Sequence, residues 1–103
     1  MMVARWSIDA KFGYKQDVID AMHRWLKEVG PQAGVDPANT RLLTGSVGAL
    51  ESTIQTEHVF KDLAELQAIW DRLASIPAHK AWSKSIEPHV VSGTNHWEIF
   101  RVL

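Results

Sequence analysis

The spacing of apolar residues changes near the N-terminus of this chain, from every second position to every third or fourth. In Met2–Phe12 apolar and polar residues alternate, which is typical of a strand with one buried face. Beyond Gly13 the apolar residues follow at helical intervals: Val18, Met22, Trp25 and Val29. This spacing predicts an amphipathic helix over Lys15–Val29, which Gly30-Pro31 ends. The Gly- and Pro-containing segment Pro31–Asn39 is predicted to be a loop.

The same two periods recur along the rest of the chain and give the order of its elements. Strands are predicted at three further places: Thr40–Ser46, Glu51–Phe60 and His96–Leu103. Asp62 and Glu65 have the spacing of a capping box, so a second helix is predicted to begin at Leu63. Pro77 suits the first turn of a short third helix, which ends before Pro88.

The resulting order is strand, helix, strand, strand, helix, short helix, strand. The length of 103 residues suits one domain, residues 1–103. We therefore predict the α+β ferredoxin-like arrangement, βαββαβ, in which helices cover one face of a four-stranded antiparallel sheet. The other face of the sheet has no cover from the same chain, which makes it a candidate interface between two subunits.

Composition and motifs exclude several classes of function. Lys and Arg number 11 and Asp and Glu number 12, so the formal net charge is −1 and nucleic acid is not an expected partner. The chain has no Cys, which excludes disulfides, thiolate metal sites and a cysteine nucleophile. Glycine-rich phosphate loops and a nucleophile elbow are absent, and no two His have the spacing of metal ligands. We therefore expect no metal and no cofactor.

Hydropathy gives no sign of membrane association. No apolar run approaches the ~20 residues that a membrane-spanning helix requires, and the N-terminus lacks a long apolar signal core. The expectation is no membrane partner and a cytoplasmic location.

Alternation along the strands predicts which side chains point to each face of the sheet. The helix-covered face takes the more apolar positions: Trp6, Ile8, Phe12, Ile54, Phe60, Trp97, Ile99 and Leu103. The uncovered face takes a mixed set: Arg5, Ser7, Asp9, Thr53, Gln55, Glu57, Val59, His96, Glu98, Phe100 and Val102. The first interpretation is that solvent covers this face, because a merely solvated face would show a similar mixture. The second interpretation is that a partner subunit covers it.

Seven polar residues of the uncovered face form the candidate site. In a ferredoxin-like sheet the first strand lies between the third and the fourth, so their side chains can approach one another across strands. Glu57 and His96 are predicted as catalytic residues, because carboxylates crowded beside a histidine in a covered cavity acquire pKa values suited to proton transfer. The other five are predicted to bind ligand: Arg5, Ser7, Asp9, Gln55 and Glu98. The alternative is a salt-bridged dimer interface without catalysis.

Other histidines and the tryptophans leave further alternatives open. His58 is predicted to face the helices as a structural residue, although a slip of one residue would place it on the uncovered face. His23 and His79 lie on predicted helices and are expected at the surface or the edge of the core. The five Trp stand at core spacings, so packing is the first interpretation of them and an aromatic-ligand pocket is the second.

The stretch from Arg41 to Leu103 carries a family resemblance. The pieces that carry it are Phe60–Glu65, Trp70, Ile76-Pro77, Trp82, Val90–Gly93 and Glu98–Arg101. With these pieces the chain resembles NIPSNAP-like members of the dimeric α+β barrel superfamily. The resemblance implies a ferredoxin-like protomer and a homodimer packed sheet to sheet, with a cavity in each half. The matching residues are core and turn residues, so no catalytic motif is transferred by the resemblance.

The resemblance also suggests a range of functions. Relatives in the superfamily include cofactor-free monooxygenases, haem-degrading enzymes, and isomerases and cyclases of small molecules. The predicted function is binding of a small molecule, with cofactor-independent oxygenation, isomerisation or cyclisation of an aromatic or polyketide-like metabolite. The alternative is a non-catalytic dimeric module that binds a metabolite or assembles. An enclosed cavity of roughly 300 Å³ or more would favour a ligand site.

Overall fold

Four strands and three α-helices follow one another in the order that the hydrophobic periods predict. The computed structural model describes residues 1–103. The strands are β1 Met2–Asp9, β2 Thr40–Thr44, β3 Thr53–Phe60 and β4 His96–Arg101. The helices are α1 Lys15–Glu28, α2 Leu63–Leu73 and α3 Pro77–Ile86. Short 3₁₀ turns occupy Gly30–Ala33, Pro37–Asn39 and Glu87–His89. None of the three helices combines the length and hydropathy that crossing a bilayer requires.

The strands form one antiparallel sheet in the order β2-β3-β1-β4. Strand β1 is therefore central, between β3 and β4, as predicted. Arg5 of β1 stands directly opposite Glu57 of β3 on one side and Glu98 of β4 on the other. Ser7, two positions along, stands opposite Gln55 and His96. This topology confirms the ferredoxin-like α+β arrangement.

The helices pack against one face of the sheet, here called the inner face. Ile8 of β1 and Ile54 of β3 meet Val18 and Met22 of α1 in the main core cluster. Trp82 of α3 belongs to the same cluster, and burying such apolar side chains stabilises the two-layer arrangement. The opposite, uncovered face is called the outer face below.

Three specific hydrogen bonds join α3 to α1 and cap the start of α2. The indole N–H of Trp82 donates to the carbonyl of Ala21 at 2.7 Å, which joins α3 to α1. At the start of α2 the Asp62 carboxylate accepts the backbone N–H of Glu65 at 2.9 Å, as the capping pattern predicts. The Glu65 carboxylate reaches back to the backbone N–H of Lys61, one residue before the expected partner, at 2.8 Å.

The strands are shorter than alternation predicts, and two predicted core positions are wrong. Phe12 and Leu103 are fully exposed instead of facing the helices. Strand β1 ends at Asp9, and only Ala10 continues the sheet, through an isolated bridge to Val90. Strand β4 ends at Arg101. Alternation reports a side chain's face only while the backbone remains paired, so it fails beyond the last ladder residue.

The two strands of the β2–β3 hairpin are also shorter than predicted, and the turn between them requires a glycine at position 45. Strand β2 ends at Thr44 rather than Ser46 and β3 begins at Thr53 rather than Glu51. A Cβ at Gly45 would lie 1.7 Å from the carbonyl oxygen of Leu50, so the returning chain passes where any other side chain would begin.

Candidate ligand-binding cavity

Glu57 on the outer face is held by two arginines. Its Oε2 accepts a hydrogen bond from Nη2 of Arg5 at 2.9 Å. Its Oε1 accepts from Nη2 and Nε of Arg41 at 2.9 and 3.2 Å. Burial raises the pKa of Glu57, but the hydrogen bonds and charges of Arg41 and Arg5 outweigh burial and lower the pKa below its usual value. Glu57 is therefore an ionised carboxylate with both oxygens already engaged.

Arg5 is fixed from a second side by an aromatic ring. Its guanidinium carbon lies 5.0 Å from the centroid of the Phe100 ring, within cation–π range. Arg5 Nε and the hydroxyl oxygen of the neighbouring Ser7 are buried and have no hydrogen-bond partner within the chain. The outer face thus combines a saturated ion pair with two polar atoms that lack partners.

The other predicted site residues also lie on the outer face, but not in one cluster. His96 Nε2 lies 3.7 Å from Glu98 Oε1, on the exposed edge strand. Asp9 accepts a hydrogen bond from the Thr53 hydroxyl at 2.7 Å, and Gln55 stands opposite Ser7. The structure brings Arg5 and Glu57 together, whereas the contact of His96 is with Glu98. The catalytic roles of Glu57 and His96 stay predictions.

A large cavity lies on the inner side, between the sheet and the helices. Its volume is about 550 Å³, and 15 of its 22 lining residues are hydrophobic. All five tryptophans of the chain line it: Trp6, Trp25, Trp70, Trp82 and Trp97. Sequence reasoning takes packing as the first interpretation of these residues and a ligand pocket as the second. In the structure the same rings pack against one another and form the cavity wall.

The indole rings contact one another in two groups. Trp82 lies between Trp6 and Trp25, with ring centroids 6.5 and 6.2 Å away. Trp70 and Trp97 meet edge to face at 5.4 Å. Aromatic pairs at such distances stabilise each other by more than the burial of their surface alone. The side chains that shape this cavity wall also have few rotamers.

His58 of β3 lines the cavity, on the inner face where alternation predicts it. Its Nδ1 lies 3.0 Å from the oxygen of the Thr40 hydroxyl. The Thr40 hydroxyl donates a hydrogen bond to the carbonyl of Asp36 at 3.0 Å. Its Nε2 is buried and has no hydrogen-bond partner. Burial lowers the pKa of His58, although the charges of Glu65 and Asp36 partly oppose it. His58 is accordingly neutral at pH 7.

His79 of α3 is the second histidine in the cavity wall. Its Nδ1 accepts a hydrogen bond from the indole N–H of Trp25 at 3.0 Å, and its ring stacks on Trp82 with centroids 6.3 Å apart. Burial lowers its pKa. The prediction of a core-edge position is correct, but its contacts are not visible in the sequence. The available signal is that His79, Trp82 and Ile86 share one helical face.

Comparisons with known proteins bear on the fold. No protein-family model and no curated protein matches the sequence. An uncharacterized NIPSNAP domain protein from Burkholderia xenovorans matches with a TM-score of 0.70 and 18% identity over 100% of this chain and 95% of that one. A NIPSNAP family protein from Agrobacterium tumefaciens matches with a TM-score of 0.80 and 13% identity over 99% of this chain and 92% of that one.

A third solved structure carries the name of an enzyme. It is an antibiotic biosynthesis monooxygenase, similar at a TM-score of 0.70 and 11% identity over 100% of this chain and 99% of that one. At such identities the likeness concerns the backbone. The resemblance drawn from the sequence is thereby confirmed at the level of the fold: this chain has the α+β fold shared by the NIPSNAP-domain and antibiotic biosynthesis monooxygenase structures.

Proposed function

We propose that this protein binds a compact, planar and largely apolar small molecule, of the aromatic or polyketide-like class, in the inner cavity. The observation that carries the proposal is that every tryptophan of the chain lines one cavity of about 550 Å³. That volume lies in the range of about 300–1,000 Å³ typical of small-molecule sites. Indole faces favour flat, polarisable ligands through offset stacking and edge contacts.

A small number of polar groups in the wall would orient the bound molecule. Thr56 and His58 line the cavity from the sheet, and His79 and Asn95 line it from elsewhere in the chain. A mostly apolar wall with a few placed polar groups is the usual composition of a metabolite site. The ligand proposed is therefore an apolar ring system with one or two oxygen functions.

The outer face is proposed to bind a second copy of the chain. Across its four strands one row of side chains alternates in charge, in the order Arg41, Glu57, Arg5, Glu98. Such a row can be complementary to itself in a two-fold dimer. In this proposal the ion pairs of Glu57 lie at the dimer interface and support the fold. A salt-bridged interface of this kind is the alternative to a catalytic role for Glu57 and His96.

Binding can be tested with 2-tetralone, a bicyclic ketone, by following the quenching of tryptophan fluorescence. A matched pair of variants locates the site. Thr56→Phe adds a ring on the inner face of β3, and Gln55→Phe adds the same ring one residue away on the outer face. We expect saturable binding that Thr56→Phe weakens at least tenfold and Gln55→Phe leaves within about twofold. The reverse pattern would move the site to the outer face and support the seven residues predicted there.

A second candidate function is oxygenation of the bound molecule. It is favoured by the fold shared with a structure named as an antibiotic biosynthesis monooxygenase. With 1-naphthol, oxidation by O₂ to a naphthoquinone and water needs no further reductant, so an oxygen electrode measures it directly. Oxygen uptake that requires the protein and is lost in Thr56→Phe would support an oxygenase. Binding of 2-tetralone and 1-naphthol with no chemical change in either would support the non-catalytic alternative.

A further inference from the structure

The wall of the inner cavity contains one charged side chain, and its charge is negative. Among the 22 lining residues Glu87 is the single member of the Asp, Glu, Lys and Arg types. The two histidines of the wall, His58 and His79, add no positive charge at neutral pH, because burial lowers the pKa of both. A ligand in the cavity therefore meets a wall whose one formal charge is that of a carboxylate.

Glu87 follows directly on the side of α3 that lines the cavity. His79, Ser83 and Glu87 come at intervals of four residues, and all three line the cavity. The backbone of Glu87 keeps helical angles, with φ −49° and ψ −44°, so the helical spacing continues through it. Because side chains on a helix point back toward its N-terminus, this geometry directs the Glu87 carboxylate toward the turn that carries Ser83.

No cation of the chain neutralises this carboxylate. None of the four ion pairs of the structure involves Glu87. Lys84, three residues earlier on α3, does not line the cavity. Glu87 is exposed, which places it where the cavity opens to solvent, and the C-terminal end of α3 adds a partial negative charge at the same place. The mouth of the cavity is therefore a place where a ligand's positive charge would be stabilised.

We propose that the inner cavity selects arylalkylamines, with the ring system among the tryptophans and the ammonium group paired with Glu87 at the mouth. The inference rests on the proposed function, because it requires a ligand in that cavity, and it names the class of ligand. Indole faces attract cations through the ring quadrupole. An anionic ligand would lose hydration against a mostly apolar wall and would find no counter-ion there.

Three bicyclic probes with the substituent on the same ring carbon measure this selectivity: 2-aminotetralin, 2-tetralol and tetralin-2-carboxylate. At pH 7.5 they are a cation, a neutral molecule and an anion. Because Glu87 is exposed and solvent screens its charge, we expect the amine to bind about three- to tenfold more tightly than 2-tetralol. The carboxylate should bind at least about tenfold more weakly than the amine. Quenching of tryptophan fluorescence gives the three dissociation constants.

Variants of two glutamates assign the preference to a residue. Glu87→Gln keeps the shape of the side chain without its charge, so the amine should lose its advantage while 2-tetralol stays within about twofold of its affinity. Glu28→Gln removes the same charge from an exposed position of α1 that does not line the cavity, and it should keep the preference. Glu87→Lys should reverse the preference, so that tetralin-2-carboxylate binds more tightly than the amine.

The location of the bound amine is checked with the variant used for 2-tetralone. Thr56→Phe should weaken 2-aminotetralin as it weakens 2-tetralone, and the two compounds should compete. Raising the NaCl concentration should narrow the difference between the amine and 2-tetralol, because salt screens an exposed ion pair.

The outcomes separate this inference from the proposed function. An amine preference that is lost in Glu87→Gln and kept in Glu28→Gln supports both. Binding of 2-tetralone and 2-tetralol with no preference for the amine, or with a preference that Glu87→Gln leaves unchanged, overturns the inference and leaves the proposed function standing. Amine binding that Thr56→Phe does not weaken also overturns the inference, because the amine then binds elsewhere. Absence of binding by all four compounds overturns both together.

Discussion

The indole N–H of Trp25 donates to Nδ1 of His79 at 3.0 Å and joins α1 to α3 through the cavity wall. The two residues are 54 positions apart in the chain. This bond determines the His79 tautomer and opposes its protonation, because Nδ1 cannot accept the indole proton and bind its own proton at once.

Trp25→Phe should therefore make His79 easier to protonate. The variant keeps an aromatic ring in the wall but removes the donor, so a hydrogen bond that favours the neutral form is lost. We expect the pKa of His79 to rise from its lowered value in the folded protein, as measured by NMR titration of the ring protons. The His58 titration serves as the internal control, because its partner is Thr40. An unchanged pKa for His79 would show that burial alone lowers it.

Stability should decrease in acid in two stages. The folded protein lowers the pKa of His58 and His79 below the ordinary 6.5, so the unfolded chain binds protons that the folded chain does not. The two histidines contribute fully to the free energy of unfolding above pH 6.5. This contribution is lost as the pH falls from 6.5 through their pKa values in the folded protein. The lowered pKa of Glu57 adds a second loss below its ordinary 4.5.

Urea unfolding at pH 8, 6 and 5 checks the first stage. The double variant His58→Gln with His79→Phe should lose less stability between pH 8 and pH 5 than the unmodified protein does. His23→Gln should follow the unmodified protein. An equal pH dependence in all three proteins would assign the acid sensitivity to other groups.

Glu57→Gln is expected to weaken the fold. The carboxylate accepts hydrogen bonds from Arg5 and Arg41, and hydrogen bonds to charged groups contribute about 1.5–3 kcal/mol each when buried. Arg41 is mostly exposed, so we expect a total loss of about 1–3 kcal/mol in the free energy of unfolding. Glu98→Gln, on the same face with one long contact to His96, should cost less than about 0.5 kcal/mol.

This pair of variants also tests the role that alternation predicts for Glu57. If Glu57→Gln keeps its stability and loses binding of 2-tetralone, the outer-face site is supported. Loss of stability with binding retained supports the structural ion pair.

The fold is largely predictable because each element buries one face. Period two in Met2–Asp9 and the three-to-four spacing of Lys15–Glu28 follow directly from packing a sheet against helices. The predicted burial of Phe12 and Leu103 is wrong, because alternation does not indicate the residue at which a strand stops pairing with its neighbour. The prediction of Asp62 as the cap of α2 is confirmed, because its hydrogen bond with the backbone N–H of Glu65 joins residues that are close in the sequence.

The cavity is less predictable than the faces that surround it. Alternation places His58 on the inner face and Glu57 on the outer face, as the structure has them, but it does not measure the space between layers. That space depends on how rings distant in sequence meet, such as Trp6 with Trp82 and Trp70 with Trp97. The Thr40 contact of His58 depends on the strand register of β2 against β3, which single-sequence patterns leave open.

Trp70→Ala tests the aromatic wall on α2. Trp70 is half-buried, meets Trp97 at 5.4 Å and packs on the small core of Ala4, Phe60 and Leu66. Because burial is incomplete, we expect a loss of about 2–3 kcal/mol in the free energy of unfolding, below the ~3–5 kcal/mol of a fully buried ring. Leu63→Ala, an exposed position on the same helix, should cost under about 0.5 kcal/mol. Equal losses in the two variants would contradict the packing described for α2.

Sedimentation tests the proposed dimer. At micromolar concentration we expect a species of twice the 11.6 kDa mass of one chain. Phe100 is 43% exposed on the outer face beside Arg5, so Phe100→Glu would place a charge inside the interface and should shift the protein to monomer. Leu63→Glu adds the same charge at a position 59% exposed on the helical side and should leave the dimer intact. A dimer lost in Leu63→Glu and kept in Phe100→Glu would assign the interface to the helices, and an 11.6 kDa species at high concentration would exclude a dimer.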